Sequence, residues 1–144
     1  MDRTFHMLLY RAFHAQRSVL RPHLGALGLG TGQPKLLGYL QRNGASSQRQ
    51  LADYCEIDPA AVCRMLDSLE KSGFVTRRTS SLDKRCGLIE LTPAGQSVYG
   101  AWQDRCREME EQMLTGFDAQ ERAQFADYLT RAYRNLKVKK EDQA

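Results

Sequence analysis

Four cations and a pair of small residues carry most of the chemistry this sequence offers. Arg64 stands one turn into a segment that begins Asp58-Pro59-Ala60-Ala61-Val62-Cys63. Arg77 follows the Lys71-Ser72-Gly73 that closes the segment, and Lys84 and Arg85 lie in the loop beyond. A guanidinium presents a planar fork of donors that matches a phosphate or the edge of a guanine. An ammonium acts on a phosphate as a point charge. Ala60 and Ala61 matter by being small: the backbone can approach a base edge, and a methyl group can touch a thymine methyl. Ser46, Ser47 and Gln48 add short hydroxyl and amide donors upstream. The set suits a polyanion with stacked bases, double-stranded DNA being the natural case. The plain alternative is a solvated helix beside a surface loop that happens to be basic.

These residues need elements to hold them. Asp58 is a good N-cap and Pro59 a good first helical residue. Val62, Leu66, Leu69 and Gly73 fall on one side at about 100° per residue, with Ala60, Arg64, Asp67 and Lys71 opposite. Gly73 fits a C-terminal stop. Two short strands should follow, joined by a basic loop over Ser80 to Lys84, with Arg77 and Arg78 on the first. Upstream, Gln33 to Arg42 reads as a short helix stopped by Asn43-Gly44. Ser46 and Ser47 then cap the next helix, Ser47 with Gln50 forming a capping box, and that helix runs to about Cys55. Two short helices joined by a tight turn, the second with a small polar front, form a helix-turn-helix pattern.

The flanks are helical too. Asp2 to Arg21 carries Phe5, Leu8, Leu9, Ala12, Phe13, Val19 and Leu20 at roughly helical spacing, and Pro22 is expected to end it. Gly25 to Gly32 is a glycine-rich connection. It lacks the preceding strand and the Gly-Lys-Ser/Thr of a phosphate loop, so a flexible inter-helix loop is the better reading. Thr92-Pro93 restarts a helix with Val98, Trp102, Cys106, Met109 and Met113 on one stripe, ending at Gly116. Asp118 and Glu121 open another, with Phe125, Leu129, Ala132 and Leu136 in line. The two long helices and the N-terminal helix are expected to form a homodimer interface; the alternative is that they complete one monomer's core. The fold class is therefore mainly α with a small β-hairpin wing. Residues 33–92 form the reading lobe of a single 1–144 domain, and 1–24 and 93–140 are dimerisation helices.

A chain of 144 residues with a net charge of +4 is one modestly basic domain. No apolar run approaches the length that spans a bilayer and no signal pattern opens the chain, so a cytoplasmic protein is the default. Cys55, Cys63, Cys86 and Cys106 form no Cys-x-x-Cys pair or zinc-finger set and are read as free thiols. His6, His14 and His23 lack the i, i+4 spacing of a helical metal site. No catalytic set, cofactor loop or metal cluster stands out, which argues against an enzyme. Cys63 beside Arg64 and Cys86 beside Arg85 lie in basic surroundings that favour a thiolate, so a redox-sensing regulator is one alternative. A winged-helix module that docks only protein is the other, although it would not need the basic face.

In its order of elements and its residues, the chain resembles the multiple antibiotic resistance regulator (MarR) family over nearly its whole length. The most specific stretch is Ser81-Leu82-Asp83-Lys84-Arg85-Cys86-Gly87-Leu88-Ile89-Glu90-Leu91-Thr92-Pro93-Ala94-Gly95. It is similar to the family's Asp-x-Arg, strand, Leu-Thr-x-x-Gly signature. Gln50-Leu51-Ala52 and the run Leu69 to Arg77 add support. The resemblance implies a homodimeric winged-helix transcription factor, a repressor of a pseudo-palindromic site. It implies that Arg85 reaches the minor groove or backbone while Asp83 steadies it, in keeping with the attraction of a narrow groove for a guanidinium. It also implies release by a small phenolic or aromatic effector, with His14, Tyr39 and Met65 as conceivable pocket residues. Two departures stand out. Cys63 replaces a Ser or Thr hydroxyl, a better phosphate donor than a thiol. Gly30 replaces a common Thr, so a looser start to the helix after it is expected.

Overall fold

A computed structural model describes residues 2–79 and 87–141. The chain divides into two compact units, residues 1–109 and 110–144, and α5 runs across the division. The first unit holds α1 (Phe5–Ala26), α2 (Gln33–Asn43), β1 (Ser46–Ser47), α3 (Gln48–Cys55), α4 (Pro59–Lys71), β2 (Val75–Thr79), β3 (Gly87–Leu91) and most of α5 (Pro93–Met113). The second holds the end of α5 and α6 (Ala119–Glu141). A mainly α fold with a small antiparallel sheet is what the sequence predicts.

Three differences from the sequence reading have physical causes. Pro22 lies inside α1 and does not end it. A proline there removes one backbone hydrogen bond. Beyond it, Leu24 and Leu27 pack on the lobe core with buried Leu29, which holds the last turn in place. The wing sheet has three strands in the order β1-β3-β2. Ser46 pairs with Ile89 and Ser47 with Leu88, so Ser46 is a strand residue and only Ser47 caps α3. The start of α2 is held without the family's threonine. The Gly30 N–H donates to Gln33 Oε1 at 2.8 Å, and Gln33 is buried.

The lobe core joins Leu36, Leu37 and Leu40 of α2, Leu51 of α3, Val62, Leu66 and Leu69 of α4, Val75 of β2 and Ile89 of β3. All are essentially out of water, and burying a side chain of this size contributes about 1.5–3 kcal/mol. In the second unit, Asp118 and Glu121 close a reciprocal capping box. Arg122 donates to both carboxylate oxygens of Glu111, at 2.9 and 3.3 Å. Those bonds hold the Glu111 carboxyl below its usual range. Among the described residues, no helix is long and apolar enough to cross a membrane.

Candidate nucleic-acid interface

Helix α4 is built as its residue pattern dictates. Asp58 Oδ2 accepts from the Ala60 and Ala61 N–H groups at 3.1 and 3.3 Å, satisfying two of the orphan donors at the helix start. Val62, Leu66 and Leu69 are buried against the lobe core. The opposite side is therefore turned outward: Ala60 and Arg64 are exposed and Ala61 half-buried. The α3–α4 turn runs through Glu56 at φ 55, a left-handed position held by a non-glycine residue. The Ile57 N–H returns to Ala52 O at 3.1 Å.

The upstream donors divide. Ser46 is 3% exposed, and its hydroxyl donates to Gly44 O at 2.9 Å, so it faces the chain. Ser47 Oγ accepts from the Gln50 N–H at 3.1 Å, and its own N–H donates to Gln50 Oε1 at 2.8 Å. The capping box is complete. Gln48 is half-buried on the first turn of α3, beside Arg49, whose side chain is 92% exposed and 3.9 Å from Asp53. Arg49 was not among the expected contact residues, although it stands next to Gln48 at a capped helix start.

The two wing arginines point to opposite faces, as strand alternation requires. Arg77 shares the inward face with Val75. Its Nη1 donates to Asp67 Oδ1 at 2.7 Å and its Nη2 to Cys63 O at 3.3 Å. Arg78 is on the other face, its Nη2 lying 2.6 Å from Glu90 Oε1 across the ladder. Arg77, expected to reach a DNA backbone, is thus engaged with α4. Asp67, absent from the expected site, is its partner. Asp83, Lys84, Arg85 and Cys86 lie outside the described residues.

The conceivable effector residues have different surroundings. His14 is exposed on α1, its ring stacked on Tyr10 at 5.8 Å between centroids. Tyr39 and Met65 are half-buried against the lobe core. Tyr39 lies 4.7 Å from the Tyr54 ring, and Arg42 donates to Tyr54 Oη at 3.2 Å. Cys55 and Cys63 carry free thiols. Burial pushes the Cys55 thiol up, against the opposing pull of Lys35 and Arg42. Among the described residues, no group of three or more His, Cys, Asp or Glu could hold a metal ion.

A three-element junction anchors the wing. Thr92 Oγ1 donates to Gly73 O at 2.7 Å and accepts from the Gly95 N–H at 3.0 Å, while the Thr92 N–H donates to Phe74 O at 3.1 Å. The end of α4, the end of β3 and the start of α5 are tied at one residue. The Leu-Thr-x-x-Gly run does this work.

Comparison with known proteins agrees with this architecture. Residues 27–85 match the model of the MarR family. The chain is 34% identical over 110 residues to the uncharacterised HTH-type transcriptional regulator YdgJ of Bacillus subtilis (strain 168), covering 76% of this chain and 66% of that protein. It resembles the crystal structure of a MarR-family transcriptional regulator from Silicibacter pomeroyi, with a TM-score of 0.75, 29% identity, and 89% and 86% of the two chains covered. The crystal structure of MarR itself superposes with a TM-score of 0.85 at 26% identity, covering 98% of each chain. The chain belongs to the MarR family of winged helix-turn-helix transcriptional regulators.

Proposed function

We propose that this MarR-family protein is a cytoplasmic repressor that binds a pseudo-palindromic duplex site as a homodimer. The observation that carries the reading is the outward front of α4. Ala60, Ala61 and Arg64 face away from a helix whose other side is anchored by Val62, Leu66 and Leu69. In this reading α4 enters the major groove. Arg64 forks onto a guanine or grips a phosphate, and Ala60 and Ala61 permit close approach. Ser47, Gln48 and Arg49 meet the backbone, the Ser47 hydroxyl keeping its proton for donation. Lys84 and Arg85 reach the flanking groove, with Asp83 steadying Arg85. Ser46 and Arg77 act inside the lobe.

The dimer has its own support. Phe5 is 92% exposed on α1, and Leu9, Tyr10 and Phe13 are each more than half exposed. On α6, Tyr128, Leu129, Tyr133 and Leu136 are also exposed. Large contiguous apolar surfaces mark interaction sites, and two-fold assembly would double the half-site contacts. Release by a small aromatic or phenolic effector completes the proposal, with His14, Tyr39 and Met65 as its contacts.

The test is fluorescence anisotropy against the DNA upstream of the protein's own gene, with a shuffled duplex as control, at two salt concentrations. Sedimentation measures the mass of the free protein alongside. Tight, salt-sensitive binding that prefers the upstream duplex, from a dimer, is expected. Equal binding to both duplexes would remove sequence readout at that DNA, and a monomer would remove the dimer. Addition of salicylate and related phenols should dissociate the complex; unchanged anisotropy across such a panel would remove this effector class.

A further inference from the structure

Arg77 and Asp67 sit on the two elements a winged-helix reader must keep in register. Asp67 follows Arg64 by three residues on α4, so it shares the outward side of the reading helix. Arg77 is on the inward face of β2, opposite Ile89 of β3. Its guanidinium spans the gap with two bonds, to Asp67 Oδ1 and to the Cys63 carbonyl one turn earlier on α4. Its Nε is buried, with no hydrogen-bond partner among the described residues. With both terminal nitrogens donating to acceptors on α4, the guanidinium is turned to the helix and not to a phosphate.

We infer that Arg77 is a positioning residue: with Asp67 it braces the reading helix against the wing strand and sets the angle at which Arg64 meets DNA. Two considerations favour geometry over stability. The Asp67 side chain is 61% exposed and that of Arg77 29%, and pairs this open contribute little to folding. The planar guanidinium fork, by contrast, fixes direction as well as distance, because it addresses two acceptors on successive turns of one helix. Asp67 is also an acid on a face aimed at a polyanion. Unpaired, it would repel DNA; paired, its charge is cancelled. The inference rests on the DNA-binding reading of α4.

The decisive feature of the test is a sign. Asp67→Ala removes a negative charge from the reading side, so electrostatics alone predicts tighter binding to any DNA. The brace predicts the reverse for a specific site. Asp67→Ala, Arg77→Met and the double variant are compared with wild type on a duplex enriched from a randomised pool by the wild-type protein, and on a shuffled duplex. Asp67→Ala should weaken binding to the enriched duplex by about tenfold. Binding to the shuffled duplex should not weaken, and the urea midpoint should stay near wild type. The double variant should bind no worse than Arg77→Met. Tighter binding of Asp67→Ala to both duplexes would show Arg77 freed to a phosphate, and binding unchanged from wild type would show no brace; either overturns the inference. If the wild type enriches no duplex, the DNA reading itself has failed. Amide exchange without DNA then decides the brace: faster exchange over Leu66–Lys71 in Asp67→Ala supports it, and unchanged exchange overturns it.

Discussion

Replacing Gly95 by alanine should damage the wing junction although it puts a better helix former into a helix. A Cβ built at Gly95 lies 2.1 Å from Phe74 O, 2.7 Å from Leu91 Cδ1 and 3.1 Å from the Phe74 carbonyl carbon. Carbon and oxygen come no closer than about 3.3 Å in ordinary weak contacts, so the Phe74 carbonyl must retreat by roughly 1 Å. That carbonyl accepts the Thr92 N–H at 3.1 Å, and a retreat of this size breaks the bond. Overpacking of this kind costs about 1–3 kcal/mol, and the lost hydrogen bond adds about 1 kcal/mol. Against these stands a helix-propensity gain of up to about 1 kcal/mol. The net expectation is a loss of roughly 1–3 kcal/mol, a sizeable share of a typical domain's stability. Gly100 supplies the control on the same helix: a Cβ there meets nothing within 4 Å. Urea unfolding followed by circular dichroism should show Gly95→Ala with a lower midpoint and an unchanged slope. Gly100→Ala should be neutral or slightly stabilised. If Gly95→Ala unfolds at or above the wild-type midpoint, the junction is not a tight seam.

Other perturbations test separate links. Arg64→Ala should weaken operator binding by about 1–3 kcal/mol and relax preference at one position per half-site, read by binding to a set of single-base variants of the operator. A uniform loss on all duplexes would make Arg64 a phosphate ligand. Glu56→Gly should be more stable than Glu56→Ala by about 1 kcal/mol in urea unfolding, because both lose the same side chain and only alanine strains the left-handed φ of 55. Equal stabilities would remove the strain. Glu111→Gln should flatten the acid side of the stability profile. The Glu111 carboxyl is held below its usual 4.5 by Arg122, so its contribution is present above that value and lost as pH falls through the lowered one. Wild type should therefore lose more stability than the variant on acidification, measured by thermal melts across that window.

Residue types and spacing carried α4 and its caps almost intact because their determinants are local. Asp58 meets the Ala60 and Ala61 N–H groups, and Ser47 and Gln50 close on each other, within three residues of chain. What was not legible depends on partners distant in sequence. Pro22 marks a stop only if nothing beyond it is anchored, and the anchors Leu24 and Leu27 find their partners on other elements. β1 exists because Ser46 meets Ile89, a pairing that two serines do not announce. Arg77 is the instructive case. By composition it is one more cation in a basic wing, and that is how the sequence placed it. Alternation from Val75 already assigns it to the inward face, and an inward cation requires an acceptor. The acceptor is Asp67, ten residues earlier, on a helix side otherwise read as facing DNA. In a nucleic-acid reader, cations that meet phosphate and cations that hold the reader in shape cannot be told apart by charge. They are told apart by which side of the strand they leave from and by whether an acid waits there. On that criterion Arg77, which leaves the inward face of β2 toward Asp67, is assigned to the second group, and the opposite signs expected when Asp67 is removed open the assignment to experiment.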